Sequence, residues 1–262
     1  MDIRGKAAIV TGSAMGLGAA VALKLARRGV NVVINYSKSE KDAREVAGQC
    51  AALGVETLAV KANIAEDADC RRLAAETLDK WGRIDILVNN AGTSVFADHR
   101  DLEALTAADF HKIYDLNVVG AYQMIRAAAP AMKAAGKGAV VNVSSIAAVT
   151  GIGSSIAYAA SKGALNTMTL SLARALAPEI RVNAVCPGFI GTRWFSDRMD
   201  ADGFQGMIDT QRRITPLKRA GAPEDIAESV VFFCAEGAEH ITGETLITDA
   251  GMHLNMAPLT AR

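Results

Sequence analysis

The sequence has no excess of either charge, few cysteines and histidines, and no apolar run long enough to cross a membrane. Lysine plus arginine equals aspartate plus glutamate, 28 against 28. A chain without net charge has no field that would draw it to nucleic acid or to an anionic membrane surface. We therefore expect a small-molecule ligand, no nucleic-acid partner and no membrane association.

Cysteine and histidine also occur without the spacings that metal sites require. The four histidines have no ligand spacing with each other or with the cysteines, so the pattern predicts no metal site. The first apolar run has only four residues, too few for the core of a signal peptide. These features predict a cytoplasmic protein with reduced cysteines. The scattered cysteines are Cys50, Cys70, Cys186 and Cys234.

What is present is an alternation of short β-branched runs with helix-period stretches of a dozen residues or more. Such repetition gives parallel pairing, because a right-handed crossover returns the chain to the same edge of the sheet. We predict an α/β protein: a single doubly wound Rossmann-type domain over residues 1–262, with about seven parallel strands flanked by helices. The predicted strands are 7–10, 30–35, 56–61, 85–89, 139–144, 180–186 and 244–248.

The longest segment without clear periodicity runs from about residue 188 to about residue 220, and we call it the substrate loop. In doubly wound sheets, ligands bind at the carboxyl ends of the strands, where this segment must emerge. We interpret it as an apolar cover over the site. Its large apolar side chains are Trp194, Phe195, Met199, Phe204 and Met207.

A glycine turn, residues 11–18 with the sequence TGSAMGLG, follows the first predicted strand and opens a helix. Glycines let the backbone turn tightly and approach a pyrophosphate, whose charge is favoured by the free N–H groups and the dipole of the helix start. This position in a βαβ unit predicts a dinucleotide site. The candidate contacts in the turn are Gly12, Ser13, Met15, Gly16, Leu17 and Gly18.

The second predicted strand ends in Asn35, Tyr36, Ser37 and Lys38, all candidate cofactor contacts. An NAD-dependent enzyme usually has an aspartate or glutamate here, on the 2′-hydroxyl of the adenosine ribose. Without a carboxylate to repel it, a 2′-phosphate can be bound by Ser37, Lys38 and backbone amides. The sequence therefore favours NADP(H) over NAD(H) as cofactor.

Tyr158 and Lys162 lie four residues apart in an alanine-rich helical stretch, which places both side chains on one helix face. A phenol with its ordinary pKa of about 10 is a poor acid–base catalyst at neutral pH. Opposite charges about 4 Å apart, at an effective dielectric constant of about 20, attract by roughly 4 kcal/mol, equivalent to about three pKa units. We expect Lys162 to lower the pKa of Tyr158 toward neutrality.

Ser145 precedes Tyr158 by thirteen residues. With this serine, the glycine turn and the YxxxK spacing, the sequence resembles the short-chain dehydrogenase/reductase family over nearly its whole length. Within that family it is most similar to bacterial β-ketoacyl-acyl-carrier-protein (3-oxoacyl-ACP) reductases. Further matches to the family's motifs are Asn89-Asn90-Ala91-Gly92, Asn117 with Gly120, Pro187-Gly188 with Thr192, and the closing strand from Ile241 to Gly251.

The resemblance implies an oxidoreductase that transfers a hydride between a nicotinamide cofactor and a carbonyl or secondary alcohol. It implies that Tyr158 exchanges a proton with the substrate oxygen and that Ser145 hydrogen-bonds this oxygen. Lys162 would lower the pKa of the tyrosine and bind the ribose hydroxyls, and Asn117 would support a water that connects Lys162 to solvent. The remaining implied cofactor contacts are Asn63, Ile64, Asn90, Ala91, Gly92, Pro187, Gly188, Ile190 and Thr192, together with Tyr158 and Lys162.

The apolar substrate loop favours an apolar ketone or a β-ketoacyl thioester as substrate. One alternative is a dedicated 3-oxoacyl-ACP reductase of fatty acid synthesis, although Pro178-Glu179 stands where such enzymes often have a basic contact for the carrier. A remoter alternative is a non-catalytic nucleotide-sensing protein. The small-residue-rich helices at 106–135 and 157–176 resemble the family's dimer-forming pair, so we expect a homotetramer or homodimer.

Overall fold

The computed structural model describes residues 2–254, so the ends of the predicted 1–262 domain, residue 1 and residues 255–262, lie outside the described residues. A seven-stranded sheet has the order β3-β2-β1-β4-β5-β6-β7, and every pairing is parallel. This confirms the predicted doubly wound fold. The strands are β1 (Ala7–Val10), β2 (Asn31–Tyr36), β3 (Thr57–Lys61), β4 (Ile86–Asn89), β5 (Gly138–Val143), β6 (Ile180–Pro187) and β7 (Thr245–Thr248).

The strand bounds agree with the predicted ones to within one residue at each end, because the central strands are largely apolar. β1, β4 and β5 are buried at every position, as expected of parallel strands covered on both faces. β1 pairs with β2 on one side and with β4 on the other. This reversal of strand order opens a crevice at the carboxyl ends of β1 and β4.

Helices cover both faces of the sheet. One apolar core lies under α1, α2 and α10, and the other lies under α3, α5 and the end of α7. A π-helical turn, Asp115–Gly120, joins α4 to α5. The helices are α1 (Gly16–Arg27), α2 (Glu40–Ala51), α3 (Asp67–Trp81), α4 (Ala107–Tyr114), α5 (Ala121–Ala134), α6 (Ala147–Thr150), α7 (Ile156–Leu176), α8 (Arg193–Ser196), α9 (Ala201–Ile214) and α10 (Pro223–Cys234).

The substrate loop contains two helices, α8 and α9, which the sequence analysis does not predict. α9 begins at an aspartate cap, since the Asp200 side chain accepts a hydrogen bond from the Gly203 amide at 2.8 Å. Phe204, Met207 and Ile208 follow at helical spacing and give α9 an apolar side. The segment is therefore a largely helical cover rather than an irregular loop.

Two negative findings apply to residues 2–254. None of the helices there is both long and apolar enough to cross a lipid bilayer. In the same part of the chain, His, Cys, Asp and Glu side chains form no group of three or more that could hold a metal ion.

Candidate active site

A cavity of about 1040 Å³ opens at the carboxyl ends of the central strands and extends from the glycine turn to the substrate loop. Most of the predicted site residues line it, although they are separated by up to 180 positions in the sequence. The predicted residues in its wall are Gly12, Met15, Gly16, Leu17, Gly18, Asn35, Ser37, Asn63, Ile64, Asn90, Ala91, Gly92, Ser145, Tyr158, Lys162, Pro187, Gly188, Ile190 and Thr192.

Four predicted residues lie outside the cavity wall. Ser13 is buried, and its hydroxyl donates to the Val10 carbonyl at 2.7 Å, so it shapes the glycine turn from behind. Tyr36 is buried in the core under α1 and α2. Lys38 is exposed on the surface after β2. Asn117 is buried behind the cavity and acts through its neighbours.

The glycine turn fits a dinucleotide diphosphate. Gly12 and Gly16 adopt positive φ angles of 61° and 57°. Met15 at the N-cap makes no side-chain hydrogen bond, so the first amides of α1 have no side-chain cap and the helix start favours an anion. A Cβ atom on Gly18 would lie 2.5 Å from the Gly12 carbonyl oxygen, so only glycine allows α1 to pack this closely.

Asn35 lines the cavity, but its side chain is engaged within the protein. Its Oδ1 accepts from the Gly12 amide at 2.9 Å, and its Nδ2 donates to the Ala62 carbonyl at 3.1 Å. The buried amide therefore ties the glycine turn to β2 and to the end of β3. Of the residues that follow β2, Ser37 is the exposed residue that reaches the cavity wall.

Tyr158 and Lys162 are positioned by the start of α7. The Ser155 hydroxyl caps this helix by accepting from the Tyr158 amide at 3.2 Å. One turn later, the Lys162 Nζ donates to the Val143 carbonyl at the end of β5 at 2.8 Å and lies 5.7 Å from the Tyr158 ring centre. The helix cap and the strand end thus hold phenol and ammonium on the same side of the cavity.

Two adjacent serines after β5 have different partners. The Ser144 hydroxyl donates to the Lys162 carbonyl at 3.2 Å and so holds α7 against β5. The Ser145 Oγ accepts from the Ala147 amide at 3.1 Å and lies near the Tyr158 phenol, whose pKa it lowers. Ser145 is therefore the serine beside the tyrosine hydroxyl, as predicted.

The pKa of Tyr158 differs from the expectation. Burial raises it to about 12 and outweighs the lowering by Ser145, while burial lowers the pKa of Lys162 to about 8. The predicted lowering by Lys162 is absent because its ammonium donates to the Val143 carbonyl rather than to the phenol, and because removal from water disfavours the phenolate.

Asn117 lies in the π-helical turn between α4 and α5. Its Oδ1 accepts from the Thr93 amide at 2.8 Å, and its Nδ2 donates to the Thr93 carbonyl and to the Ser161 Oγ, both at 3.0 Å. The Ser161 hydroxyl in turn donates to the Tyr158 carbonyl at 2.7 Å. Asn117 therefore clamps the loop after β4 to the first turn of α7.

Aromatic side chains form the wall opposite the glycine turn. The Trp194 ring centre is 6.0 Å from that of Tyr158 and 6.3 Å from that of Phe96. Phe195 lies 6.2 Å from Phe96 and 5.0 Å from Phe189. Trp194, Phe195 and Met207 reach the cavity as predicted from the substrate loop, whereas the other two predicted members of this wall, Met199 and Phe204, do not line it.

Sequence reasoning missed several residues of the cavity wall. They lie in the loop after β4, in the substrate loop and near the end of the described chain, where periodicity gives no guide to side-chain direction. The rule that ligands meet loops at the carboxyl ends of strands points to the first two segments, but not to individual residues. Among the residues missed in these segments are Phe96, Asp98, Phe189, Arg193, Arg198, Gln211 and Met252.

Comparison with known proteins gives three concordant findings. A family model described as "Enoyl-(Acyl carrier protein) reductase" matches residues 12–253. The "Granaticin polyketide synthase putative ketoacyl reductase 2" of Streptomyces violaceoruber is 43% identical over 247 residues, with 94% of this chain and 96% of the relative covered. A 3-oxoacyl-[acyl-carrier-protein] reductase of Staphylococcus aureus is 36% identical over 254 residues, with 95% and 98% covered.

A solved structure has the same architecture. The crystal structure of a "putative short-chain dehydrogenase/reductase from Burkholderia xenovorans" superposes with a TM-score of 0.88 at 40% sequence identity. The match covers 95% of this chain and 98% of that one.

Proposed function

This chain belongs to the short-chain dehydrogenase/reductase family of oxidoreductases that act on carbonyl and alcohol groups. From that premise we propose that it reduces a ketone with NADPH as the hydride donor and Tyr158 as the proton donor. The observation that carries the proposal is a single cavity with the glycine turn at one end and the Ser145 and Tyr158 side chains facing an aromatic wall at the other. Hydride transfer between a cofactor and a carbonyl needs both ends of the cavity, one to bind the cofactor and one to bind the carbonyl.

A bound nicotinamide cofactor supplies or accepts the hydride. The uncapped start of α1 binds the diphosphate, and Lys162 binds the ribose hydroxyls. Tyr158, which lines the cavity beside Ser145, gives the proton of its hydroxyl to the substrate oxygen. The Ala147 amide donates to the Ser145 Oγ, so this bond does not use the serine O–H, which can turn from the Tyr158 phenol to the same substrate oxygen.

Asn117 is a positioning residue in this proposal. A Cβ atom on Gly92 would lie 3.4 Å from the Asn117 Oδ1 and 3.7 Å from the Lys162 Nζ. The glycine therefore leaves space beside both groups, which supports the proposal that a water there links Lys162 to solvent and restores the proton that Tyr158 donates.

The preference for NADP(H) over NAD(H) is supported by the residues after β2. Ser37 and Lys38 are exposed, and no carboxylate stands at the end of the strand. Arg193 of α8 also lines the cavity, but its charge is matched by Asp42 of α2 at 3.3 Å and by Asp197 at 3.6 Å. A 2′-phosphate after β2 would meet hydroxyl and backbone amide donors.

We expect Ser37→Asp to turn the preference toward NAD(H). A carboxylate at this exposed position repels the 2′-phosphate, so the ratio of kcat/KM with NADPH to that with NADH should fall by about 10- to 100-fold. Steady-state kinetics with both cofactors measure this ratio. Ser37→Asn, which has the shape of the aspartate without its charge, should change the ratio little. A wild-type enzyme that already has the higher kcat/KM with NADH would contradict the proposal.

The substrate is proposed to be a free apolar ketone or short acyl thioester, because aromatic rings form the wall beside Tyr158. The 36% identical acyl-carrier-protein reductase supports the alternative of a carrier-bound substrate. Against it, the connection before β6 has the exposed Pro178 followed by Glu179, and an acidic side chain there repels an acidic carrier.

We expect free ketones and short thioesters to be reduced at least as efficiently as the carrier-bound form. NADPH and NADH oxidation would be followed with a panel of ketones, and with one β-ketoacyl group on a short thioester and on an acyl carrier protein. A small substrate needs the cavity alone, whereas carrier docking needs surface charge. A large advantage for the carrier-bound form, lost at high salt, would restore the fatty-acid-synthesis role. If neither NADPH nor NADH were oxidised with any substrate of the panel, the enzymatic proposal itself would be contradicted.

We also propose that the protein is a cytoplasmic homotetramer or homodimer built as one catalytic domain. The four cysteines are free and buried, which supports a reducing compartment. Apolar side chains are exposed on the faces of the π-helical turn, α5 and α7, which supports packing between subunits. They are Val119, Tyr122, Ile156 and Leu170.

A further inference from the structure

The aromatic end of the cavity contains an arginine without an acidic partner. The guanidinium carbon of Arg198 lies 4.7 Å from the Phe96 ring centre and 5.5 Å from the Trp194 ring centre. Its Nη1 also donates to the Trp194 carbonyl. Within residues 2–254 no carboxylate forms an ion pair with it, although it lines the cavity. Two ring faces and a backbone carbonyl therefore hold this cation in place.

The carboxylates of the same cavity wall already have other partners. The Asp98 Oδ2 lies 2.7 Å from an Arg100 nitrogen, and the Asp197 Oδ2 lies 3.6 Å from the Arg193 Nε. Arg193 also contacts Asp42, as described above. Besides the Lys162 ammonium next to Tyr158, the charge without an acidic partner at the substrate end of the cavity is that of Arg198, and an anionic group is the ligand that would complement it.

Arg198 and Tyr158 lie against the same indole. The Trp194 ring centre is 6.0 Å from that of Tyr158 and 5.5 Å from the Arg198 guanidinium carbon, so the cation lies at the same end of the cavity as the proton donor. Trp194 and Phe96 supply the intervening wall, whose faces suit a flat apolar body. Gln211 on α9 is buried and lines the same cavity, and its side-chain amide has no hydrogen-bond partner among the described residues.

We propose that the substrate is a flat aromatic or conjugated ketone that also bears a carboxylate, and that Arg198 binds this carboxylate. The inference rests on the proposed ketone reduction at Tyr158. The planar guanidinium matches the two carboxylate oxygens, and its stacking on two rings holds it ready for that contact. The substrate's flat body lies along Trp194, and the unpaired amide of Gln211 provides one further polar contact.

The test compares a naphthyl ketone that bears a carboxylate at the far end of its two fused rings with the neutral methyl ester of the same compound. Binding would be measured by calorimetry to enzyme loaded with NADP⁺, which cannot reduce the ketone. The wild type should bind the acid about 10- to 100-fold more tightly than the ester, as expected for a hydrogen-bonded ion pair. Arg198→Gln should abolish this difference, and Arg198→Lys should retain part of it.

Arg212→Gln is the matched control, because Arg212 lies in α9 outside the cavity wall and pairs with Asp209 at 3.1 Å. It should keep the wild-type difference. Binding of the ester shows that the cavity of each variant is folded. The quantity compared between variants is the ratio of the dissociation constants of ester and acid. Equal binding of acid and ester by the wild type, or a difference that survives in Arg198→Gln, would overturn the inference.

Two further arms separate related explanations. Turnover of the same ketones with NADPH tests the proposed reduction: Arg198-dependent binding without turnover would refute the reduction and not the carboxylate contact. A β-ketoacyl phosphopantetheine thioester and its phosphate-free analogue test the other source of negative charge. If Arg198→Gln weakens binding of that phosphate-bearing thioester but not of the naphthyl acid, the carboxylate assignment is wrong.

Discussion

Replacing Tyr158 with phenylalanine should lower kcat by about 100- to 10,000-fold, the range that general acid catalysis contributes, while NADPH binding changes little. The substitution removes one oxygen and keeps the ring that packs 6.0 Å from Trp194. The variant has no proton donor in place of the Tyr158 hydroxyl beside Ser145. Single-turnover kinetics and an NADPH fluorescence titration measure the two quantities.

Tyr114→Phe provides the matched control, because it removes the same oxygen from a tyrosine of α4 that does not line the cavity. Its kcat and its affinity for NADPH should stay close to those of the wild type. If Tyr158→Phe retained more than a tenth of the wild-type kcat, Tyr158 would not be the proton donor. If Tyr158→Phe instead lost NADPH binding, the main role of the tyrosine hydroxyl would be to bind the cofactor rather than to donate the proton.

The environment of Tyr158 also shows what helical spacing can and cannot predict. A separation of four residues correctly predicts that Tyr158 and Lys162 share a helix face. It does not predict that the Lys162 Nζ donates to the Val143 carbonyl or that the Lys162 side chain is buried while Tyr158 is partly buried. Those facts depend on where α7 packs against β5, and they reverse the expected direction of the pKa shift of the tyrosine.

The sheet was predictable because its central strands are buried on both faces and are therefore apolar except at Asn89 and Asn142. Its order follows from the parallel crossovers, and the carboxyl ends of the strands then bring the glycine turn, Ser145 and Pro187 together. Tyr36 shows the limit of assigning contacts by sequence position alone. It stands at the end of β2 as predicted, yet its side chain is buried in the core under α1 and α2.

The substrate end of the cavity could not be predicted from periodicity. Phe96 comes from the loop after β4, and Arg198 comes from the connection between α8 and α9. Their contact is a tertiary one, formed across the mouth of the cavity by segments about a hundred residues apart. Sequence composition indicated that the substrate loop is apolar, but the unpaired charge among its aromatic side chains is visible only once the loop is folded.

Gly18 offers the sharpest test of the cofactor site, because a methyl group there collides with the glycine turn itself. An added Cβ would lie 2.5 Å from the Gly12 carbonyl oxygen, 2.6 Å from the Asn90 Nδ2 and 2.8 Å from the Ser13 Cα. The turn cannot easily yield, since the Gly12 amide donates to Asn35 at 2.9 Å and the Gly12 carbonyl accepts from Asn90 at 3.0 Å. Relief of the clash requires α1 to move away from the turn.

We expect Gly18→Ala to weaken NADPH binding by about 100-fold or more, since a displaced helix start loses at least two charge-assisted hydrogen bonds to the diphosphate, each of about 1.5 kcal/mol. Overpacking should also lower the free energy of unfolding by about 1–3 kcal/mol.

Gly48→Ala in α2 is the matched control, because a Cβ atom there meets no atom within 4 Å. We expect a gain in stability of about 0.5–1 kcal/mol and an unchanged NADPH affinity. Fluorescence titration with NADPH and urea unfolding measure both effects. A wild-type dissociation constant in Gly18→Ala would mean that the diphosphate does not bind at the start of α1, and the cofactor would then have to be placed elsewhere in the cavity.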